Sequence, residues 1–182
     1  MSLRYLTLSI LLLTLSVATG AGQGDSTISV HGIGRVRLCQ PLSSVRDLFP
    51  LARDTIMEEE ELKWPAKIVP LHGNQRLVFE ASWIDTSHVW RLSTSSPDYR
   101  TPHGYRVGMT LGYLRDKHEA LRFGYAEGYI VVTIVSDQVD FLPDDSTARA
   151  FLRRSPRAFD SLEDLPRRAR IKELFVSGDC RQ

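Results

Sequence analysis

"RLCQPLSSVRD", Arg37 to Asp47, and "RVGMTLGYLRD", Arg106 to Asp116, decide how this chain divides. Each opens Arg-aliphatic, places a leucine at the same offset (Leu42, Leu111), adds a second aliphatic (Val45, Leu114) and closes on Arg-Asp. In a helix that spacing puts the leucine and the second aliphatic on one face, so each stretch predicts a short amphipathic helix. Pro41 suits the first turn of one, and Thr110 is placed to cap the other. The order of patterns on either side also matches, a strand before and about three strands after. Together they predict an internal repeat with units at about 26–97 and 98–182. Neither unit could cover its own apolar sheet face. The expectation is a single α+β domain over residues 22–182, two β-α-β-β-β units packed with pseudo-symmetry, mainly antiparallel sheet with short helices.

Working outward, "STISVHGIGRVRLC" alternates apolar and polar around Gly32 and Gly34, which predicts two short strands about a turn or one bulged strand. "AKIVPL", "RLVFEAS" and "HVWRLSTSS" are rich in branched and aromatic residues and are separated by turn tokens at His72-Gly73-Asn74 and Asp85-Thr86-Ser87. They read as a three-stranded meander. Between these and the first helix, "MEEEELKWP" holds four adjacent glutamates, Glu58 to Glu61, that repel one another. That run predicts a helix extension or a solvated loop, stopped by Pro65. In the second half "YRTPHGYRVGM" predicts a glycine-interrupted strand, and "ALRFGYAEG", "YIVVTIV", "QVDFLPD" and "RIKELFV" predict strands.

The first 21 residues carry one basic residue, Arg4, then an apolar run from Leu6 to Val17 and small residues at Gly20 and Ala21. That is the layout of a secretory signal peptide, cleaved after Gly20 or Ala21, and no cysteine beside the site offers a lipid anchor. The expected address is periplasmic or secreted, with no membrane span after cleavage. Lys and Arg total 23 against 22 Asp and Glu, so global charge selects no partner. Arginine supplies most of the basic residues and Asn74 is the only asparagine, a bias expected of a GC-rich bacterial genome. Cys39 and Cys180 are the two cysteines, and in an oxidising compartment a single disulfide is the leading reading, two free thiols the other. No cysteine and histidine share a metal-ligand spacing, so neither a metal nor a cofactor is expected.

The stretch "HVWRLSTSSPDYRT" followed by "YRTPHGYRVGMTLGYL" resembles a motif of uncharacterised bacterial secreted proteins. There a Val- and Ile-rich strand leads through a Ser-Pro turn and Arg-Thr to a glycine, and a Gly-x-Thr turn opens a helix. The resemblance spans Trp90 to Leu114 and implies a small envelope domain without supplying catalytic residues. Gly108-Met109-Thr110 is also similar to the turn that opens the helix of BamE-like envelope domains, although their anchor cysteine and the Gly-x-Pro after the helix are absent. The tandem arrangement of short helices and strands is similar to β-lactamase-inhibitor domains, and implies an inhibitory or docking role.

Candidate chemistry is scattered. His31, His72, His88, His103 and His118 occur singly, and no Gly-x-Ser-x-Gly elbow marks a nucleophile. Ser177 and Cys180 stand close together near the end, where a disulfide competes with any nucleophilic role. "HGIGRVR" lacks the Lys-Ser/Thr of a phosphate loop, leaving Gly32 and Gly34 as turn residues. Asp140, Asp144 and Asp145 could serve as acid and base or bind calcium, but Asp-Asp-Ser is also an ordinary helix cap. Trp64, Trp83 and Trp90 could line a carbohydrate groove, although tryptophans among strands ordinarily pack.

The segment between Asp144 and Arg170 has no counterpart in the first unit. Its Arg153, Arg154 and Arg157 are the candidate ligand-binding residues, offering planar donors to an anionic envelope component. Nucleic acid is excluded by the expected compartment. The function these features suggest is a non-catalytic envelope binding or interaction module of unknown ligand. The alternative is a small hydrolase acting on an envelope polymer, with Asp140, Asp144 or Asp145 and one histidine as acid and base.

Overall fold

The computed structural model describes residues 26–59, 61–117, 119–126, 129–144 and 165–180. The expected signal peptide, His118, Asp145 and the trio Arg153, Arg154 and Arg157 lie outside them. Among the described residues no helix is long and apolar enough to cross a membrane.

Three two-residue strands, β1 (Ile28–Ser29), β2 (Gly32–Ile33) and β3 (Val36–Arg37), form a small antiparallel sheet. A Cβ on Gly32 would fall 2.0 Å from the Val36 carbonyl oxygen, so only glycine fits this turn. A 3-10 turn (Leu42–Ser44) then runs into α1 (Val45–Leu48), burying Leu42 and Val45. The second quoted stretch also ends in a short helix, entered from turns rather than from a strand. Thr110 Oγ1 accepts from the Tyr113 N–H at 3.2 Å and opens α2 (Leu111–Asp116), with Leu111 and Leu114 buried.

The large sheet contains β4 (Arg53–Glu59), β5 (Leu62–Pro70), β6 (Arg76–Glu80), β7 (Arg91–Thr94), β8 (Leu121–Ala126), β9 (Tyr129–Ile134), β10 (Val139–Pro143) and β11 (Ile171–Ser177). Their order in space is β4-β5-β6-β7-β11-β10-β9-β8, every pairing antiparallel. The chain builds four strands inward from one edge, crosses through α2, and builds four more inward from the other edge. The seam is β7 against β11. Mainly antiparallel sheet with a few short helices is thus the architecture, as the sequence predicts.

Register sets the two faces. Leu77, Thr94 and Leu174 lie opposite one another across β6, β7 and β11, as do Phe79, Leu92 and Val176. These side chains are buried with Phe141, Val132 and Ile134 and pack against Ile28, Ile33, Val45, Leu111 and Leu114. On the other face Val78, Ser93 and Phe175 align, with Asp140 and Thr133 continuing the row. Because the strand repeat is two, one face becomes core and the other becomes a surface with its own chemistry.

Two expectations need correcting. The glutamate run does not extend a helix: Glu58 and Glu59 end the edge strand β4, and Glu61 turns at φ 73°. Alternation along a strand separates like charges, and a charged edge discourages further strand pairing. The stretch "YRTPHGYRVGM" is not a strand. Gly104 and Gly108 adopt φ of 86° and 89°, which an extended strand cannot contain, and they bend the chain through turns into α2. A disulfide joins Cys39 and Cys180, Cα atoms 5.2 Å apart, as the export reading anticipates.

Candidate functional site

At one end of the sheet the β4–β5 turn, the loop from Ala81 to Trp90 and the residues after β11 converge on a cavity of about 370 Å³. Small polar residues give the loop its shape. Ser82 Oγ accepts from the backbone N–H groups of Ile84 (3.2 Å) and Asp85 (2.8 Å). Asp85 Oδ1 in turn accepts from the Ser87 N–H at 2.9 Å and the Ser87 hydroxyl at 2.6 Å. Those bonds, with His88 Nδ1 at 2.8 Å from Oδ2, hold the Asp85 carboxyl down at about 2. Backbone bonds then pin the loop to the helix entry: Cys39 N to Val89 O, Val89 N to Gln40 O and Leu42 N to Ser87 O. The disulfide closes the same corner, and Cys180 lines the cavity.

All three tryptophans of the chain line this cavity. Glu80 fixes its floor. Register places Glu80 opposite Arg91 on one side and Ala66 on the other, so its nearly buried carboxylate meets Trp64 and Arg91 on the same face. It accepts from Trp64 Nε1 at 3.0 Å and, bidentately, from Arg91 Nε at 3.0 Å and Nη2 at 2.8 Å. The Arg91 guanidinium also lies 5.5 Å from the centre of the Trp90 ring, a cation–π contact. A buried carboxylate requires such partners to offset its desolvation, and here they also lock two indoles in place. At the rim Leu62, Trp83 and Ile84 are 44%, 57% and 60% exposed, unusual for residues of their kind in one neighbourhood.

Along the second sheet face lies a trough of about 640 Å³ that shares Glu59, Trp64, Trp90 and Arg91 with the cavity. Val78, Val131 and Phe175 give the trough apolar ground, while Arg122, Asp140 and Glu173 stand among them. Strand alternation usually places polar residues on the face away from the core, whereas here apolar and charged side chains share it.

A second polar cluster lies elsewhere. His103 Nδ1 and Asp137 Oδ1 are 2.5 Å apart, the imidazole mostly exposed and the carboxylate almost wholly buried. Asp137 Oδ2 has no hydrogen-bond partner. The bond to Asp137, reinforced by its charge, raises the His103 pKa. Beside it Tyr105 donates to Glu119 Oε2 at 2.6 Å, and burial together with that bond pushes the phenol up to about 12. Burial pulls Glu119 upward, yet bonds from Ser136 and Tyr105 outweigh it and hold the carboxyl below its usual value.

The residues singled out in the sequence are dispersed. Asp140 accepts from Thr133 Oγ1 at 2.6 Å, and burial raises its pKa. Asp144 Oδ2 accepts from the Arg170 N–H at 3.0 Å. His31 and His72 are exposed, and Cys180 is held in the disulfide, which removes it as a nucleophile. Among the described residues no group of three or more His, Cys, Asp or Glu side chains is placed to hold a metal ion. The tryptophans do converge, with Trp64 packed and Trp83 open, so packing and cavity-lining roles coexist in one cluster. The Glu80–Arg91 and His103–Asp137 pairs carry no local sequence signal. Only a register could have matched the first, and the second spans two loops.

No family model matches the chain, and no curated protein does. Among solved structures it is similar to the uncharacterized protein yfeY from Escherichia coli, with a TM-score of 0.63 over 84% of this chain and 99% of that one. At 14% identity this likeness shows a shared fold.

Proposed function

We propose that this protein is a non-catalytic binding module of the periplasm or cell exterior, holding an envelope component in the tryptophan-lined cavity and the trough beyond it. One observation carries the reading: three indoles and an arginine, Arg91, held in place by Glu80, line a cavity within the range of about 300–1,000 Å³ usual for small-ligand sites. A disulfide suits an oxidising compartment. The order β4-β5-β6-β7-β11-β10-β9-β8, with a helix ahead of each set of four strands, supports two like units meeting at a pseudo-twofold seam. Sedimentation of the purified protein with insoluble envelope material tests the reading. Wild type should be retained and Trp83→Ala largely lost to the supernatant, whereas equal retention of both would end it.

The rival, a small hydrolase of an envelope polymer, has one observation in its favour. Asp137 fixes Nδ1 of His103, and a neutral imidazole so held keeps Nε2 as a base. Release of soluble fragments from envelope polymer, abolished in His103→Ala and preserved in Trp83→Phe, would establish that role instead.

A further inference from the structure

The cavity also indicates what kind of molecule it takes. The charged groups of its walls are already engaged within the protein. Glu80 and Arg91 neutralise each other, Asp85 holds His88, and Glu59 and Asp179 are both engaged by other groups of the chain. An anionic headgroup drawn to Arg91 would have to displace Glu80, and a cation drawn to Asp85 would have to displace Ser87 and His88, so either would give up a bond already made. What the walls still offer is uncharged hydrogen bonding. Ser82 Oγ accepts two backbone N–H groups and retains its own proton to donate. With Nδ1 of His88 2.8 Å from Asp85 Oδ2, Nε2 on the far side of the ring is left to meet a hydroxyl, which can donate or accept. Hydrogen-bonding groups at fixed positions beside the exposed indole of Trp83 suit a ligand with flat apolar faces and a hydroxylated perimeter. A bare acyl chain would leave those polar groups unpaired. The trough continuing through Trp64 and Trp90 gives such a ligand room to extend as a polymer.

From this we infer that the site binds an uncharged segment of a linear glycan, one pyranose ring seated in the cavity against Trp83 and Trp90 and its neighbours laid along the trough. The inference rests on the binding function proposed above and names its ligand class. The probes are cellotetraose, chitotetraose and maltotetraose as neutral glycans, tetragalacturonate as an anionic one, and lysophosphatidylcholine as an amphiphile. Each is titrated into the oxidised protein, with intrinsic tryptophan fluorescence and calorimetry as readouts. At least one neutral tetrasaccharide should shift the emission and bind with little dependence on salt. Trp83→Ala should weaken that binding about tenfold, the scale of one lost aromatic contact, and Trp83→Phe should restore much of it. Circular dichroism confirms that each variant is folded, and because Trp83 is 57% exposed its loss leaves the core intact. Failure of all three neutral probes, or binding indifferent to Trp83→Ala, overturns the inference. Trp83-dependent binding of lysophosphatidylcholine or tetragalacturonate alone also overturns it, while leaving the binding function standing. Envelope retention unaffected by Trp83→Ala is the separate result that removes the binding function itself.

Discussion

Replacing Cys39 and Cys180 together by serine removes the longest covalent constraint in the fold. The bridge spans a sequence separation of 141 residues, and the chain-entropy relation assigns closure of a loop that long about 5 kcal/mol at 25 °C. The stability of a domain this size is itself on the order of 10 kcal/mol, so the loss is a large fraction of the whole. Urea unfolding followed by tryptophan fluorescence measures it. With a slope of about 2 kcal/mol/M, the midpoint should fall by about 2.5 M. Wild type reduced with dithiothreitol should unfold at the same midpoint as the double serine variant, because both lose the same link. The backbone bonds between Cys39, Gln40 and Val89 remain in the variant, so its native state should keep the corner that frames the cavity. A drop below about 1 kcal/mol would refute the reasoning, since the open chain would then already be as restricted as the closed one.

Three further outcomes follow from the geometry. Glu80→Ala leaves Arg91 and Trp64 Nε1 without their acceptor and should cost about 3 to 5 kcal/mol in the same urea assay; a loss under about 1 kcal/mol would mean that water replaces the carboxylate without penalty. His103 has its pKa raised in the fold, so its contribution is complete below the unfolded value of about 6.5 and disappears as pH climbs through the raised folded value. Wild type should therefore lose stability relative to His103→Gln across that window, and parallel stability curves for the two would contradict the pairing with Asp137. Replacing Arg153, Arg154 and Arg157 with serine should reduce only the salt-sensitive part of envelope retention, measured by sedimentation at low and high ionic strength, while the Trp83-dependent part persists.

Much of the fold was legible because its signals are local. Leu42 with Val45 and Leu111 with Leu114 declared both helices through spacing alone, and the branched runs in β5 to β7 and β9 to β11 declared strands. The edge strand β4 was hidden because four carboxylates mask its alternation, and an edge is where such charge is useful. The segment from Tyr99 to Met109 misled because apolar residues flank glycines whose positive φ no alternation rule can see. Most remote from sequence was the pairing of β7 with β11. That contact depends on which free edges remain after two meanders have formed, and it aligns Val78, Ser93 and Phe175 across three strands. The site followed the same divide. Tryptophans advertise themselves, but the carboxylate that fixes two of them sits on the strand between theirs, and Glu80 alternating with apolar neighbours looked like any outward strand residue.

The seam between β7 and β11 also imposes an order of events on synthesis. β11 is the last of the eight strands to leave the ribosome, yet it occupies a central position. Until it arrives, β7 and β10 each expose an open ladder, and no amount of local folding by the earlier strands can join the two halves. The two halves of the sheet thus stay apart until β11 has been made, and Cys180, three residues beyond the end of β11, locks the join only afterwards. Under the export proposed above, keeping the keystone strand late would delay premature closure on the wrong side of the membrane.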